Sequence, residues 1–225
     1  FSGTATEQHI AVDELCQFDG WYGKRKHLAE VPVEGNGQVI VRKHGTDTVL
    51  YRNSFSTLFQ EWLSYDEAME KARSFENVFL VPMSKDTVDV TVQLMNNRRE
   101  VMTFSTHTVI PSDVMIRHLA TKGTTPYDVL QKAADPQKAI RIAFVAEGYQ
   151  EEEMPTFLAD AQVAIDALFD HEPFKSLRDR FEIVAVKSPS VDSGTSEPAE
   201  GKWLNTTLHS NFNTFYSDRY LTTLH

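Results

Sequence analysis

Cysteine is nearly missing from this chain of 225 residues: Cys16 is the only one. One thiol excludes an internal disulfide and any zinc site built on cysteines. Long apolar runs are missing too. Nothing approaches the ~18 consecutive apolar residues of a membrane-spanning helix, although 41% of the residues are hydrophobic, enough for a sizeable core. Positive charge is scarce: 22 Lys and Arg face 32 Asp and Glu, for a net charge of −10. A nucleic-acid groove or a face for anionic lipid needs a basic patch. The one dense basic cluster, Lys24, Arg25, Lys26 and His27, reads as a solvated loop. No two histidines stand four apart, so the H-E-x-x-H zinc helix is not encoded. His171-Glu172 begins that pattern and loses it to Pro173 and Lys175; a helix C-terminus is the reading there. Gly194-Thr195-Ser196 has the look of a subtilisin nucleophile, but it sits in a loop with no aspartate or histidine motif before it. Phosphate-loop and dinucleotide glycine motifs are absent as well.

What is present centres on residues 139–188. Ile140, Ile142, Phe144 and Val145 form a short run that predicts a strand buried on both faces. Gly148 breaks it, and Glu151, Glu152 and Glu153 supply the negative charge favoured at a helix N-terminus. Met154, Phe157, Leu158, Ala161, Ala164, Ile165, Leu168 and Phe169 recur at helical spacing, with Pro155 in the first turn and Pro173 as the stop. Phe181, Ile183, Val184 and Val186 give a second buried strand. Strand, helix and strand of these lengths predict a right-handed crossover with parallel strands.

Residues 1 to about 115 carry strand signals. GQVIVRK (37–43) and TVLYR (48–52) flank a turn at His44-Gly45-Thr46-Asp47. Residues 86–95 alternate, Val88, Val90, Val92 and Leu94 against Thr87, Asp89, Thr91 and Gln93, and 100–110 returns as a second strand after Asn96-Asn97. Such hairpins predict a β-sandwich. Ser64 with Glu67 three residues on predicts one short helix over 64–75. Trp21, Tyr22, Phe55, Phe59, Trp62 and Tyr65 read as core aromatics more readily than as an exposed platform. Residues 116–138, interrupted by Lys122-Gly123-Thr124-Thr125-Pro126, read as a joint, with a short helix over 127–134. Beyond 188 comes a long polar loop, SPSVDSGTSEPAEGK, of a length that marks function or disorder. Trp203, Phe212, Phe215, Tyr216 and Tyr220 re-enter a core or line a cleft.

Three blocks in order, FVAEGYQEEEMPTFLADA, ALFDHEPFKSLRDRFEIVAVKSPSVDSGTSEP and FYSDRYLTT, resemble the IgA-peptidase family of secreted bacterial zinc metallopeptidases, over residues 139–225. The stretch before them looks like that family's accessory amino-terminal domain. The resemblance implies an α+β protein: a β-sandwich accessory domain (1–115), a joint (116–138), and the first part of an α/β zincin-like metallopeptidase domain (139–225). It implies hydrolysis of peptide bonds in proteins by a zinc-bound water with a glutamate base, and a secreted, surface or periplasmic location. No charged-then-apolar leader is read within these residues, so secretion follows from the resemblance alone. The family's zinc helix lies beyond the matched region. The expectation is therefore that these residues include no catalytic residue and no zinc ligand, that zinc belongs to a complete protein continuing past His225, and that this chain alone shows no metal-dependent proteolysis. Asp192, Ser193 and Gly194 in the polar loop, with Asp218, Arg219 and Tyr220 in the last block, are the candidate walls of the substrate cleft. The rival reading is a secreted binding module that holds glycan or host protein through the sandwich.

Overall fold

The computed structural model describes residues 1–119, 125–216 and 220–223. It is α+β and divides into two compact units, Phe1–Lys122 and Gly123–His225.

In the first unit, β1 (Ser2–Gly3), β2 (Gln8–His9) and β3 (Cys16–Gln17) are two-residue strands. β4 (Gly37–Lys43) and β5 (Val49–Phe55) follow, then helices α1 (Leu58–Trp62) and α2 (Glu67–Glu70) and the two-residue β6 (Arg73–Ser74). β7 (Val88–Met95), β8 (Val101–Val109) and the two-residue β9 (Arg117–His118) complete the unit. The long strands make one antiparallel sheet in the order β5-β4-β7-β8. Alternation fixes its register: Val39 lies opposite Val92, and Val41 opposite Val90. One face therefore collects Val39, Val41, Tyr51 and Val88 into a core, against which Trp21, Phe55 and Val109 pack.

Two expectations differ here. The sandwich is, among the described residues, one sheet of long strands with two small sheets, β2-β1-β6 and β3-β9. The segments outside the hairpins lack sustained alternation and pair for only two residues at a time. The single helix over 64–75 is replaced by α1 and the four-residue α2. The cap is Thr57, whose hydroxyl oxygen accepts the Gln60 N–H at 3.1 Å; the Ser64 hydroxyl donates instead to the Glu61 carbonyl. Phe59 and Trp62 on α1 are fully buried, and Phe1, Phe55, Phe75 and Phe79 stack around them. Tyr22 is exposed and stacks on Phe18.

The second unit holds β10 (Tyr127–Gln131), β11 (Ile140–Val145), α3 (Met154–Phe169) and β12 (Phe181–Val186). Its sheet runs β10-β12-β11, with β11 parallel and β10 antiparallel to β12. The helix expected over 127–134 is thus corrected to strand β10, whose Val129 and Leu130 fall in a short run suited to an edge. β11 is also an edge and is not buried on both faces: Ile140 and Val145 are exposed, while Phe144 and Ile142 face the core. β12 is the central strand, with Phe181, Ile183 and Ala185 buried. α3 begins where Gln150 and Glu153 form a capping box. It buries Met154, Phe157, Ala161, Ile165 and Phe169, five residues of the predicted stripe.

Candidate functional site

β11 and β12 end together, and the segments leaving them make one surface. At the carboxyl ends of parallel strands in α/β sheets, such segments gather into binding crevices. β11 gives way to Ala146, Glu147 and Gly148; β12 gives way to residues 187–211. The Ala146 N–H donates to the Val186 carbonyl at 3.0 Å, so the two exits stay side by side.

Gly148 is the contact point. Its N–H donates to Ser190 Oγ at 3.0 Å, and its carbonyl accepts the Gly194 N–H at 2.8 Å. Its φ is +73°, and a Cβ there would meet the Gly194 carbonyl oxygen at 2.3 Å. Only glycine meets both demands. Ser190 is buried and also takes the Thr207 N–H at 3.0 Å, which ties the two limbs of the loop.

Glu147 anchors the far limb. Its carboxylate accepts the Leu208 N–H at 2.7 Å and the Ser210 N–H at 3.0 Å. Burial would raise its pKa, but hydrogen-bond donors from Thr206, Ser210 and Leu208 outweigh that and hold it below the ordinary value. The Leu208 and Ser210 N–H groups make the regular hydrogen bonds to the carboxylate, while the buried hydroxyls of Thr206 and Ser210 act on it from outside that geometry. Glu147, Ser190, Thr206 and Ser210 were not legible as site residues. A glutamate directly after a buried strand and before a glycine was the one available signal.

The predicted residues fall in two places. Asp192 is half-buried: its Oδ2 accepts the Asn205 N–H at 2.7 Å, and its own N–H donates to the Asn205 carbonyl at 3.1 Å. Ser193 is exposed and donates to Glu153 Oε1 at 2.9 Å, while Glu153 Oε2 takes the Gln150 N–H at 2.8 Å. Gly194 is exposed with φ +101°. These three lie along the N-terminal end of α3, where Gln150 Nε2 also donates to the Val191 carbonyl. Tyr220 is held by another contact, its ring edge-on to Phe215 at 6.3 Å. Nearby in sequence, Thr222 and Asn211 exchange backbone hydrogen bonds of 2.9 and 3.0 Å. Asp218 and Arg219 lie outside the described residues. Trp203 and Tyr216 are exposed rather than returned to a core.

The carboxylates here are acceptors that hold the loop in place. Among the described residues, no group of three or more His, Cys, Asp or Glu side chains could hold a metal ion. The residues present do not fit a zinc centre, and no metal-borne step runs through them. His171, the start of the failed zinc pattern, has its Nδ1 2.9 Å from the Ala167 carbonyl at the end of α3. The loop instead carries exposed polar groups on a backbone held by Gly148, Ser190 and Glu147.

Two family models match the chain in succession, Peptidase M64 N-terminus over residues 1–105 and IgA Peptidase M64 over residues 129–225. No curated protein matches it.

Proposed function

This chain belongs to the IgA-peptidase-like M64 family, and on that premise we propose that it is the amino-terminal portion of a secreted bacterial zinc metalloendopeptidase acting on protein substrates. The observation that carries the reading is the order of the two matches along one chain. In such an enzyme the metal supplies an activated water for attack on the peptide carbonyl. These 225 residues contain no H-E-x-x-H, so the proposal places zinc on residues outside this sequence. Residues 1–115 are then the accessory domain, 116–138 the joint and 139–225 the opening part of the peptidase domain. Asp192, Ser193, Gly194, Asp218, Arg219 and Tyr220 are assigned to the wall of the substrate cleft. The fixed backbone of the loop suits that role, because a wall held by Gly148 and Glu147 needs no ordering when substrate arrives. No helix among the described residues is long and apolar enough to cross a membrane.

The test is made on the protein from its source, captured with an antibody against this chain. Its mass should exceed 25.6 kDa, it should carry about one zinc per chain, and it should cleave casein until a chelator is added. A zinc-free protein with no chelator-sensitive cleavage overturns the proposal. The 225-residue chain, tested in parallel, should not cleave casein at all.

A further inference from the structure

The two edges of the four-stranded sheet are built differently. At the β5 edge, the register shifts between Val41 and Arg42, Arg52 brings a charge, and the Arg52 N–H donates to the Leu28 carbonyl, so a loop covers that side. Those are the usual devices by which an edge strand avoids further pairing. β8 carries no charge and no loop of that kind, and its one register shift, opposite Leu94 and Met95, is confined to its first residues. Its nine residues, VMTFSTHTV, contain no Lys, Arg, Asp, Glu, Pro or Gly, in a chain where 24% of residues are charged. β8 pairs in unbroken register from Val109 to Thr103 and has a partner on one side only. The short β2 comes near it without pairing. Alternate residues of an edge strand turn N–H and C=O groups outward. None of those in β8 meets a protein partner among the described residues.

Beside this edge, on the face opposite the valine core, lies an open concavity of about 380 Å³ lined by Arg42, Thr91, Gln93, Val101, Phe104 and Thr106. Phe104 is 66% exposed, and Val101 and Met102 are about half exposed, at 49% and 53%. Arg42 is the only charged group in the lining; its Nη1 donates to Thr91 Oγ1 at 3.3 Å, which leaves other guanidinium N–H groups for an acceptor.

We propose that β8 is a docking strand that receives an extended polypeptide segment by adding it to the sheet, with an apolar side chain on Phe104 and a glutamate directed at Arg42. Main-chain hydrogen bonds would give such a contact its affinity, and the concavity its preference for side chains. A second copy of this chain is the poorer occupant, because its own β8 brings no glutamate to Arg42. The inference stands on the first unit alone and holds whether or not the peptidase reading does.

The probe is acetyl-Val-Thr-Glu-Thr-Val-Thr-amide carrying a fluorophore, whose first valine, glutamate and second valine share one face; it is added to the full chain and followed by amide hydrogen exchange and fluorescence anisotropy. Amides of residues 101–109 should gain protection. Phe104→Lys and Thr106→Lys, both exposed positions, should each weaken binding by about tenfold or more. Replacing the probe's glutamate by glutamine should weaken binding to the native chain and not to Arg42→Gln. No protection of β8 at about 1 mM probe overturns the proposal. So does protection that appears without probe together with a doubled mass in light scattering, which would make a second copy the occupant.

Discussion

Gly148 and Gly201 have nearly the same backbone, φ +73° and +69°, in different surroundings. An added Cβ at 201 meets nothing within 4 Å, whereas at 148 it meets the Gly194 carbonyl. Gly201→Ala should therefore cost only the left-handed backbone penalty, about 1 kcal/mol. Gly148→Ala adds a collision with a backbone that cannot move without releasing the loop, and should cost about 2–4 kcal/mol. Urea unfolding of the two variants measures the difference; equal losses would mean the Gly148–Gly194 contact does not hold the loop. A second residue sets an acid limit. The Arg73 guanidinium at 2.8 Å and the Trp62 indole N–H at 3.1 Å hold the Glu67 carboxyl down to about 2. Its folded pKa lies below the ordinary value of 4.5, so its stabilisation is complete above that pH and fades as pH falls toward about 2. Glu67→Gln should flatten the acid limb of a plot of melting temperature against pH within that window. Unchanged curvature would remove Glu67 from the account. Glu147, also held below its ordinary value, acts with the same sign.

Helix α1 shows how a local signal can be present in the sequence and still be misplaced. Thr57 and Gln60 carry the same three-residue spacing as Ser64 and Glu67, and only the first pair caps a helix. What separates them is packing. Thr57 starts a turn that buries Phe59 and Trp62, while Glu67 is drawn away from any cap by Trp62, Lys71 and Arg73. Thr57→Val should thus cost about 1 kcal/mol, and Ser64→Ala, at an exposed hydroxyl, less than about 0.5 kcal/mol; chemical unfolding checks both. Elements with long periodicity were legible: the β4–β5 and β7–β8 hairpins and α3 lie where alternation and helical spacing put them. β10 was not, since five residues beside a Gly-Pro-interrupted segment carry too little pattern to exclude a helix. The site was legible only as a loop of unusual length. Its anchors are backbone contacts made by Gly148 and a single glutamate, and neither leaves a spacing in the sequence.

At the scale of the whole chain, the two units differ in charge and in cover. Residues 1–122 carry thirteen Lys and Arg against sixteen Asp and Glu, a net of −3; residues 123–225 carry nine against sixteen, a net of −7. The first unit closes its core on a sheet of four strands, seven to nine residues each. Among its described residues the second has three shorter strands and one long helix, and its edge strand β11 leaves Ile140 and Val145 exposed. Fewer strands bury less apolar surface, and a like-charged unit is weakened further by self-repulsion, which salt screens over about 8–10 Å. Each unit also holds its own buried cluster, Val39 with Tyr51 in one and Ile165 with Ile183 in the other. Calorimetry of the intact chain should accordingly show two transitions rather than one. The lower transition should belong to the second unit, as reported by loss of amide protection in 140–186, and should rise more with added salt than the upper one. A single transition whose calorimetric and van't Hoff enthalpies agree would mean that the two clusters melt as one cooperative body.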